Sequence, residues 1–311
     1  MAEYASLFRP TSYELLLPAL LGLRRPAARE MRKFCRMPAN QTNPIERERW
    51  NDPFWSEHWP KRERFTESVT PLLMKALALQ PGERVLDIGS GGGPATRAAA
   101  AIVGSAGAAV GADISVPLVE LARKRAAASG TKNISFQVKD VQHDRVDGGP
   151  FDAALSQFGV MFFDEPNTAF ANIRAHLVRG GRLAFACWQA VAKNPWFPGP
   201  LLAEFVPPPP QPVPGKSPTG PFAFADPGYV RDILQTAGFA DVAVANHDVS
   251  VDAPENAVMD DAQLAHAGVP PEKMAQARAV VDKHIAPFRL GSGLCRFPLA
   301  VQIFTARNPA S

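Results

Sequence analysis

Three glycines at alternate positions follow a short apolar segment and form the most distinctive chemical feature of the sequence. Residues 85–94 read VLDIGSGGGP, with glycines at Gly89, Gly91 and Gly93. Glycine allows positive φ angles and lets the backbone approach a ligand closely. Pro94 suits the first turn of a helix, where its missing N–H would have no partner. The segment therefore predicts a buried strand, a ligand-binding loop and the start of a helix.

Three aspartates are predicted to lie at the ends of neighbouring strands. Asp87 precedes the loop, Asp113 ends a strand at residues 108–112, and Asp140 ends a strand at residues 134–139. Parallel sheets bind ligands at the carboxyl ends of their strands. An acid at Asp113 can accept both hydroxyls of an adenosine ribose, and Asp140 can accept a hydrogen bond from an adenine amino group. The three acids together predict a nucleoside site.

The charge of this site favours S-adenosylmethionine over a dinucleotide. A dinucleotide would bring its pyrophosphate near Asp87, and its site would prefer a third glycine where Pro94 stands. S-adenosylmethionine has no phosphate and carries a positive ammonium and sulfonium. A nicotinamide-dependent oxidoreductase is the less favoured alternative, and the three tyrosines of the chain do not provide the Tyr-x-x-x-Lys spacing of short-chain dehydrogenases.

The elements that must position these residues alternate between strand and helix, which predicts a doubly wound parallel sheet. Strands are predicted at 84–88, 108–112, 134–138, 151–157, 182–188, 242–245 and 300–306. Helices are predicted at 65–79, 95–103, 117–128, 167–177, 227–237 and 270–286, with a turn at 179–181. Prolines between 207 and 214 cannot supply ladder donors and predict a stiff surface excursion.

Three segments resemble the class I methyltransferases that use S-adenosylmethionine, in particular the ubiquinone/menaquinone-biosynthesis-like (methyltransferase type 11) subgroup. They are residues 85–94, FDAALSQFGVMFF at 151–163 and LVRGGRL at 177–183. The resemblance covers about residues 43–309. It implies a Rossmann-like α/β fold: a seven-stranded sheet in the order 3-2-1-4-5-7-6 with the last strand antiparallel, helices on both faces and a helical, proline-rich cap. The cofactor residues that it implies are Asp87, Gly89, Gly91, Gly93, Asp113, Ile114, Asp140, Val141 and Gln157.

The chain divides into a leader and one methyltransferase domain in this interpretation. Residues 1–42 are a leader that we expect to be dispensable, because its apolar stretch is too short for a membrane span and lacks the order of a signal peptide. Residues 43–311 form the domain. Within it, 64–190 is the cofactor-binding core, 191–225 a proline-rich insertion and 226–311 the part that completes the sheet.

Methyl transfer is an in-line displacement that requires the reacting atoms to be held collinear and needs no protein nucleophile. Only a hydroxyl or similarly protonated acceptor needs a general base. The densest aromatic cluster, Trp50, Phe54, Trp55, His58 and Trp59, is either a lid over the cofactor or ordinary packing, and His58 is a weak candidate base. We expect transfer to a small-molecule acceptor, with a non-catalytic S-adenosylmethionine-binding protein as the alternative.

Composition argues against other classes. Residues 1–36 hold 7 of the 33 Lys/Arg and 3 of the 30 Asp/Glu, so the remaining chain is near neutral and does not predict a nucleic-acid partner. The three cysteines are far apart, which predicts no disulfide framework and a cytoplasmic location. The histidines lack metal-ligand spacing, so we expect no metal.

Overall fold

The computed structural model describes residues 42–208 and 214–310. The predicted leader up to Gln41 and part of the proline-rich segment lie outside these residues. The helices are α1 (Pro44–Asn51), α2 (Pro53–Thr66), α3 (Thr70–Leu77), α4 (Pro94–Val103), α5 (Val116–Ser129), α6 (Pro166–His176), α7 (Pro227–Thr236), α8 (Asp261–His266) and α9 (Met274–Ile285). The strands are β1 (Arg84–Ile88), β2 (Ala108–Asp113), β3 (Ile134–Val138), β4 (Phe151–Gln157), β5 (Leu177–Trp188), β6 (Ala240–Pro254), β7 (Arg289–Gly291) and β8 (Leu294–Arg307).

One mixed sheet runs through the described chain in the order β3-β2-β1-β4-β5-β8-β6. The first five strands pair in parallel, and β8 pairs antiparallel with both β5 and β6. The predicted sheet order is confirmed, with β8 in the place of the family's seventh strand. The short β7 is an addition that pairs only with β8.

The central strand β1 is buried on both faces, which explains why its sequence reads as a nearly continuous apolar run. Val85, Leu86 and Ile88 are almost completely buried. Helix α4 begins at Pro94 directly after Gly93, which has φ 83°. Because the connection from β1 is so short, the N-terminus of α4 must lie at the carboxyl edge of the sheet.

The last two long strands extend well beyond their predicted ranges. The prediction placed them at 242–245 and 300–306, whereas they run over Ala240–Pro254 and Leu294–Arg307. Much of β6 is exposed and polar, so hydrophobicity does not reveal it. Pairing with β8 stabilises this exposed strand, for example where Asp252 faces Arg296 and the two side chains form an ion pair.

Three local predictions differ from the structure. The helix predicted at 65–79 is not continuous, because α2 ends at Thr66, a 3-10 turn follows and α3 covers only Thr70–Leu77. The turn predicted at 179–181 lies inside β5 as an irregularity, because Gly180 and Gly181 exchange backbone hydrogen bonds with Asn308. The helix predicted at 270–286 begins with a 3-10 turn and becomes α-helical at Met274. Helices α1 and α8 and most of α2 were not predicted. The N-terminus of α8 is fixed by a capping box between Asp260 and Gln263.

None of the helices within the described residues is long and apolar enough to cross a membrane.

Candidate active site

A cavity of about 370 Å³ lies at the carboxyl ends of β1, β2 and β4. Helices α1 and α2, which we call the cap, form its opposite wall. The volume is within the usual range for small-molecule sites. The predicted cofactor residues on its lining are Asp87, Gly89, Asp113, Ile114, Asp140, Val141 and Gln157. The structure thus brings together side chains that lie on four different strands or strand ends.

The glycine loop makes two very close approaches. A methyl group on Gly89, which has φ 66°, would lie 2.8 Å from the Cα atom of Gly159. A methyl group on Gly91 would overlap the indole ring of Trp59. Gly91 is therefore covered by the cap rather than exposed on the cavity lining, and Gly93 instead packs against Phe136.

Asp113 is buried and accepts two backbone hydrogen bonds. The N–H of Gly91 donates to its Oδ2 atom, and the N–H of Ser115 donates to its Oδ1 atom, both over 2.8 Å. Burial raises the pKa of this carboxyl above its ordinary value. The carboxylate ties the glycine loop to the end of β2, and each oxygen retains capacity to accept a further hydroxyl donor.

Asp87 lies deeper in the same wall. Its Oδ2 atom accepts a hydrogen bond from the Thr96 hydroxyl over 2.6 Å, and its Oδ1 atom is buried without a donor among the described residues. Burial, together with the nearby charge of Asp113, raises the pKa of Asp87 to about 7. A cationic ligand would supply both the missing donor and a compensating charge.

Asp140 marks the far end of the cavity. Its carboxylate accepts hydrogen bonds from the Thr42 hydroxyl and from the Gln142 N–H. Arg47 of α1 approaches it to 3.9 Å. The cap therefore reaches the strand ends at this point as well.

Residues of α2 hold the cap against the glycine loop. Trp59 lies over Gly91 and Gly92, and its indole N–H donates to Glu63 over 2.8 Å. Glu63 also accepts a hydrogen bond from Arg125 of α5 over 2.6 Å. The same guanidinium donates to the Gly92 carbonyl. Packing and charge thus combine to close the cap over the loop.

The predicted aromatic cluster lies on the cavity lining in full: Trp50, Phe54, Trp55, His58 and Trp59. These rings both pack on each other and roof the cavity. Trp50 and Trp55 have ring centroids 5.0 Å apart, and Trp50 also packs edge-on against Phe162. The two interpretations of the cluster, a lid over the cavity and ordinary packing, are therefore compatible.

His58 has one ring nitrogen engaged. Its Nδ1 atom lies 2.9 Å from the Phe54 carbonyl oxygen, which can only accept, so Nδ1 carries the proton in the neutral ring. The Nε2 atom then has a free lone pair. The imidazole stacks on Phe54 at 4.0 Å, and His266 stacks on the other face of that ring at 3.9 Å. This arrangement fits a general base.

A second aromatic wall follows β4. Phe158, in the left-handed region at φ 64°, stacks on Trp188 with centroids 4.3 Å apart. Trp188 packs against Trp196, which packs against Phe65. Gln157 is oriented by Thr70, whose hydroxyl donates to its Oε1 atom. This end of the cavity is apolar and planar in shape.

The donors and acceptors present fit S-adenosylmethionine. The strand-end wall, which carries Asp87, Asp113 and Asp140, offers acceptors to a ligand that has hydroxyls, an amino group and positive charge. Among them is the Oδ1 atom of Asp87, which has no donor among the described residues. Sequence reasoning missed Arg62, Glu63 and Arg125. Arg62 follows Trp55 by two helical turns, so its place on the same helix face could have been found.

Within residues 42–208 and 214–310, no group of three His, Cys, Asp or Glu could hold a metal ion.

The family described as methyltransferase domain matches residues 85–181. The aklanonic acid methyltransferase of a Streptomyces species is 39% identical over 126 residues, which are 40% of this chain and 56% of that protein. The nocamycin O-methyltransferase of Saccharothrix syringae is 28% identical over 198 residues, 61% of this chain and 71% of that protein.

Among solved structures, a phosphoethanolamine N-methyltransferase from Haemonchus contortus, bound to phosphomonomethylethanolamine and S-adenosylhomocysteine, superposes with a TM-score of 0.53. The sequence identity is 15%, and the match covers 82% of this chain and 57% of that one. The chain spans about half the length, 56%, of the aklanonic acid methyltransferase that it matches. The solved structure shows similarity of fold.

Proposed function

We propose that this chain is a class I S-adenosylmethionine-dependent methyltransferase and that it transfers a methyl group to a small-molecule acceptor. One observation carries the proposal. Asp87, Asp113 and Asp140, on three adjacent strand ends, line a single cavity together with the first glycine of the loop. A wall that carries three acids suits a cationic nucleoside and would repel a pyrophosphate placed beside it.

In this proposal the strand-end wall holds the cofactor. Asp113 accepts the ribose hydroxyls, and Asp140 with Val141 borders the adenine. Asp87 and the loop at Gly89 face the amino-acid portion. Support comes from the buried acceptors of Asp87 and Asp113 and from the place of Gly89 on the cavity lining.

Bound S-adenosylmethionine supplies an electrophilic methyl group on a positively charged sulfur. The residues of this chain orient the acceptor and exclude water. The aromatic rings of Trp55, Phe158 and Trp188 line the cavity and provide flat apolar walls. Such walls fix a planar acceptor with little loss of side-chain entropy because the rings are already packed, and they keep the reacting atoms in near-attack geometry.

The acceptor is proposed to be a small molecule with a planar, apolar body. The flat apolar wall formed by Phe158 and Trp188 supports this shape. The names of the two relatives describe enzymes that act on small molecules. Where the reacting atom is a hydroxyl oxygen, His58 accepts its proton through Nε2. The fixed Nδ1 proton supports this role.

The cellular setting is also part of the proposal. We place the chain in the cytoplasm and without a nucleic-acid partner. Cys187 and Cys295 are buried free thiols, as is usual in reducing compartments. The near balance of basic and acidic residues after residue 36 supports the second point.

Turnover tests the proposal. The chain is incubated with S-adenosylmethionine and a panel of planar phenols, aromatic acids and polycyclic ketones, and S-adenosylhomocysteine is measured. We expect acceptor-dependent product. Binding of S-adenosylhomocysteine without product from any acceptor class would instead favour the non-catalytic alternative.

A further inference from the structure

Arg62 lines the cavity, and its charge has no carboxylate partner among residues 42–208 and 214–310. Its guanidinium carbon lies 5.5 Å from the ring centroid of Trp50 and 5.9 Å from that of Trp55. These cation–π contacts stabilise the charge and hold its position. They use none of the five N–H donors of the guanidinium.

Neighbouring basic side chains are paired, which makes Arg62 stand out. Lys61, the preceding residue, contacts Asp260 at 2.6 Å, and Arg125 contacts Glu63 at 2.6 Å. The carboxylates of Asp260 and Glu63 are therefore already paired with other cations. Burial lowers the pKa of Arg62 to about 10, so it stays charged at neutral pH in a partly dehydrated site.

A second donor beside Arg62 is also unused. The indole N–H of Trp55 is buried and has no acceptor within the described chain. Three other indoles of the cavity lining have acceptors: Trp50 donates to Glu46, Trp59 to Glu63 and Trp196 to Asn194. A buried donor without an acceptor is costly, so an acceptor supplied by a ligand would be favourable.

We propose that Arg62 and the Trp55 indole N–H form a carboxylate-binding subsite of the cavity. A guanidinium presents parallel N–H groups that match the two oxygens of a carboxylate, and the nearby indole adds a neutral donor. The inference adds an anion site to a cavity whose opposite wall is acidic. It rests on the proposed function only in that the ligand enters this cavity.

Two ligands could supply the carboxylate. One is the amino-acid portion of the cofactor, because Arg62 lies about one helical turn beyond Trp59, which covers the glycine loop. The other is an aromatic acid as acceptor, because the same cavity is lined by Trp55, Phe158 and Trp188. The chemistry of recognition is the same for both.

Matched acid and amide pairs separate the two sources. Calorimetry compares S-adenosylhomocysteine with its carboxamide. It then compares 2-naphthoate with 2-naphthamide on protein saturated with S-adenosylhomocysteine. We expect the wild-type chain to prefer the acid in one pair by roughly tenfold or more. The pair that shows the preference identifies the source.

Substitutions on α2 tie the preference to the proposed subsite. Arg62→Gln should abolish it, Arg62→Lys should keep part of it, and Trp55→Phe should reduce it by about threefold. Arg64→Gln is the matched control, since Arg64 is exposed on the same helix and should leave the preference unchanged. The Lys and Phe variants preserve the test if Arg62→Gln folds poorly, which circular dichroism reports.

The proposal is overturned if wild-type protein shows no acid preference in either pair, or if the preference survives in Arg62→Gln. Failure of the wild-type protein to bind S-adenosylhomocysteine is a separate result. It would contradict the proposed function, and the naphthoate pair measured without cofactor would still test the subsite.

Discussion

The two walls of the cavity are built in different ways. The strand-end wall consists of the ends of β1, β2 and β3 with the loops that follow them, and backbone hydrogen bonds hold its acids, as between Gly91 and Asp113. The cap is held by side chains distant in sequence, such as Lys61 with Asp260, 199 residues apart. One wall is acidic and fixed by the sheet, whereas the other is aromatic, carries Arg62 and depends on tertiary contacts. We propose that the first wall holds the nucleoside of the cofactor and that the cap adds the carboxylate-binding subsite at Arg62.

The largest expected effect concerns the cap and separates catalysis from binding. With a hydroxyl acceptor, His58→Gln should lower kcat by about 100-fold or more because the phenolic or alcoholic proton loses its acceptor. Binding of S-adenosylhomocysteine should change little. Steady-state kinetics and calorimetry measure the two quantities.

His266→Gln is the control for this variant. His266 stacks on the same Phe54 ring but does not line the cavity, so its loss should leave kcat nearly unchanged. Equal losses in the two variants would mean that the ring stack matters only for packing. The base assignment would then be wrong.

The next effect concerns the strand-end wall. Asp113→Asn removes a charged acceptor and forces an amide N–H toward one of two backbone donors, Gly91 or Ser115. Affinity for S-adenosylhomocysteine should fall by about 10- to 100-fold. The exposed Asp147 offers the control substitution Asp147→Asn, which should have no effect. A change of less than threefold in Asp113→Asn would place the ribose elsewhere.

The smallest effect is a dependence on pH that should follow Asp87. Its pKa of about 7 in the folded chain means that the carboxyl is mostly protonated at pH 6. A cationic ligand favours the ionised form, so affinity for S-adenosylmethionine should tighten by roughly 5- to 10-fold between pH 6 and pH 7.5.

The same pKa gives the opposite trend for stability without ligand. The raised pKa of this acid stabilises the fold fully below its unfolded value of 3.8, and that contribution is lost as pH rises through about 7. Asp87→Asn should flatten both profiles, as measured by calorimetry and thermal denaturation. A wild-type affinity that does not vary over this range would contradict ionisation of Asp87 on binding.

The two walls also differ in how far the sequence predicts them. Local pattern was sufficient for the strand-end wall, because Asp87, Asp113 and Asp140 each end an apolar run and the topology of parallel strands brings such ends together. The exposed part of β6 was missed because its polar residues conceal the strand, and its length is set by pairing with β8.

Pattern could locate the aromatic cluster of the cap but not what it contacts. That Trp59 covers Gly91, and that Glu63 pairs with Arg125, depends on how α2 lies against α5, which is a tertiary outcome. Arg62 escaped attention for the same reason. The spacing from Trp55 puts Arg62 on the same helix face, but a basic residue there is usually solvated, and only the fold shows that this face closes a cavity.

Calorimetric titration of the full chain with S-adenosylhomocysteine, and separately with NAD, tests most directly whether the strand-end wall is a methyltransferase cofactor site. We predict saturable one-to-one binding of S-adenosylhomocysteine, lost in large part in Asp113→Asn, and no binding of NAD. Binding of NAD, with no heat of binding for S-adenosylhomocysteine, would contradict the account and favour the nicotinamide-dependent oxidoreductase instead.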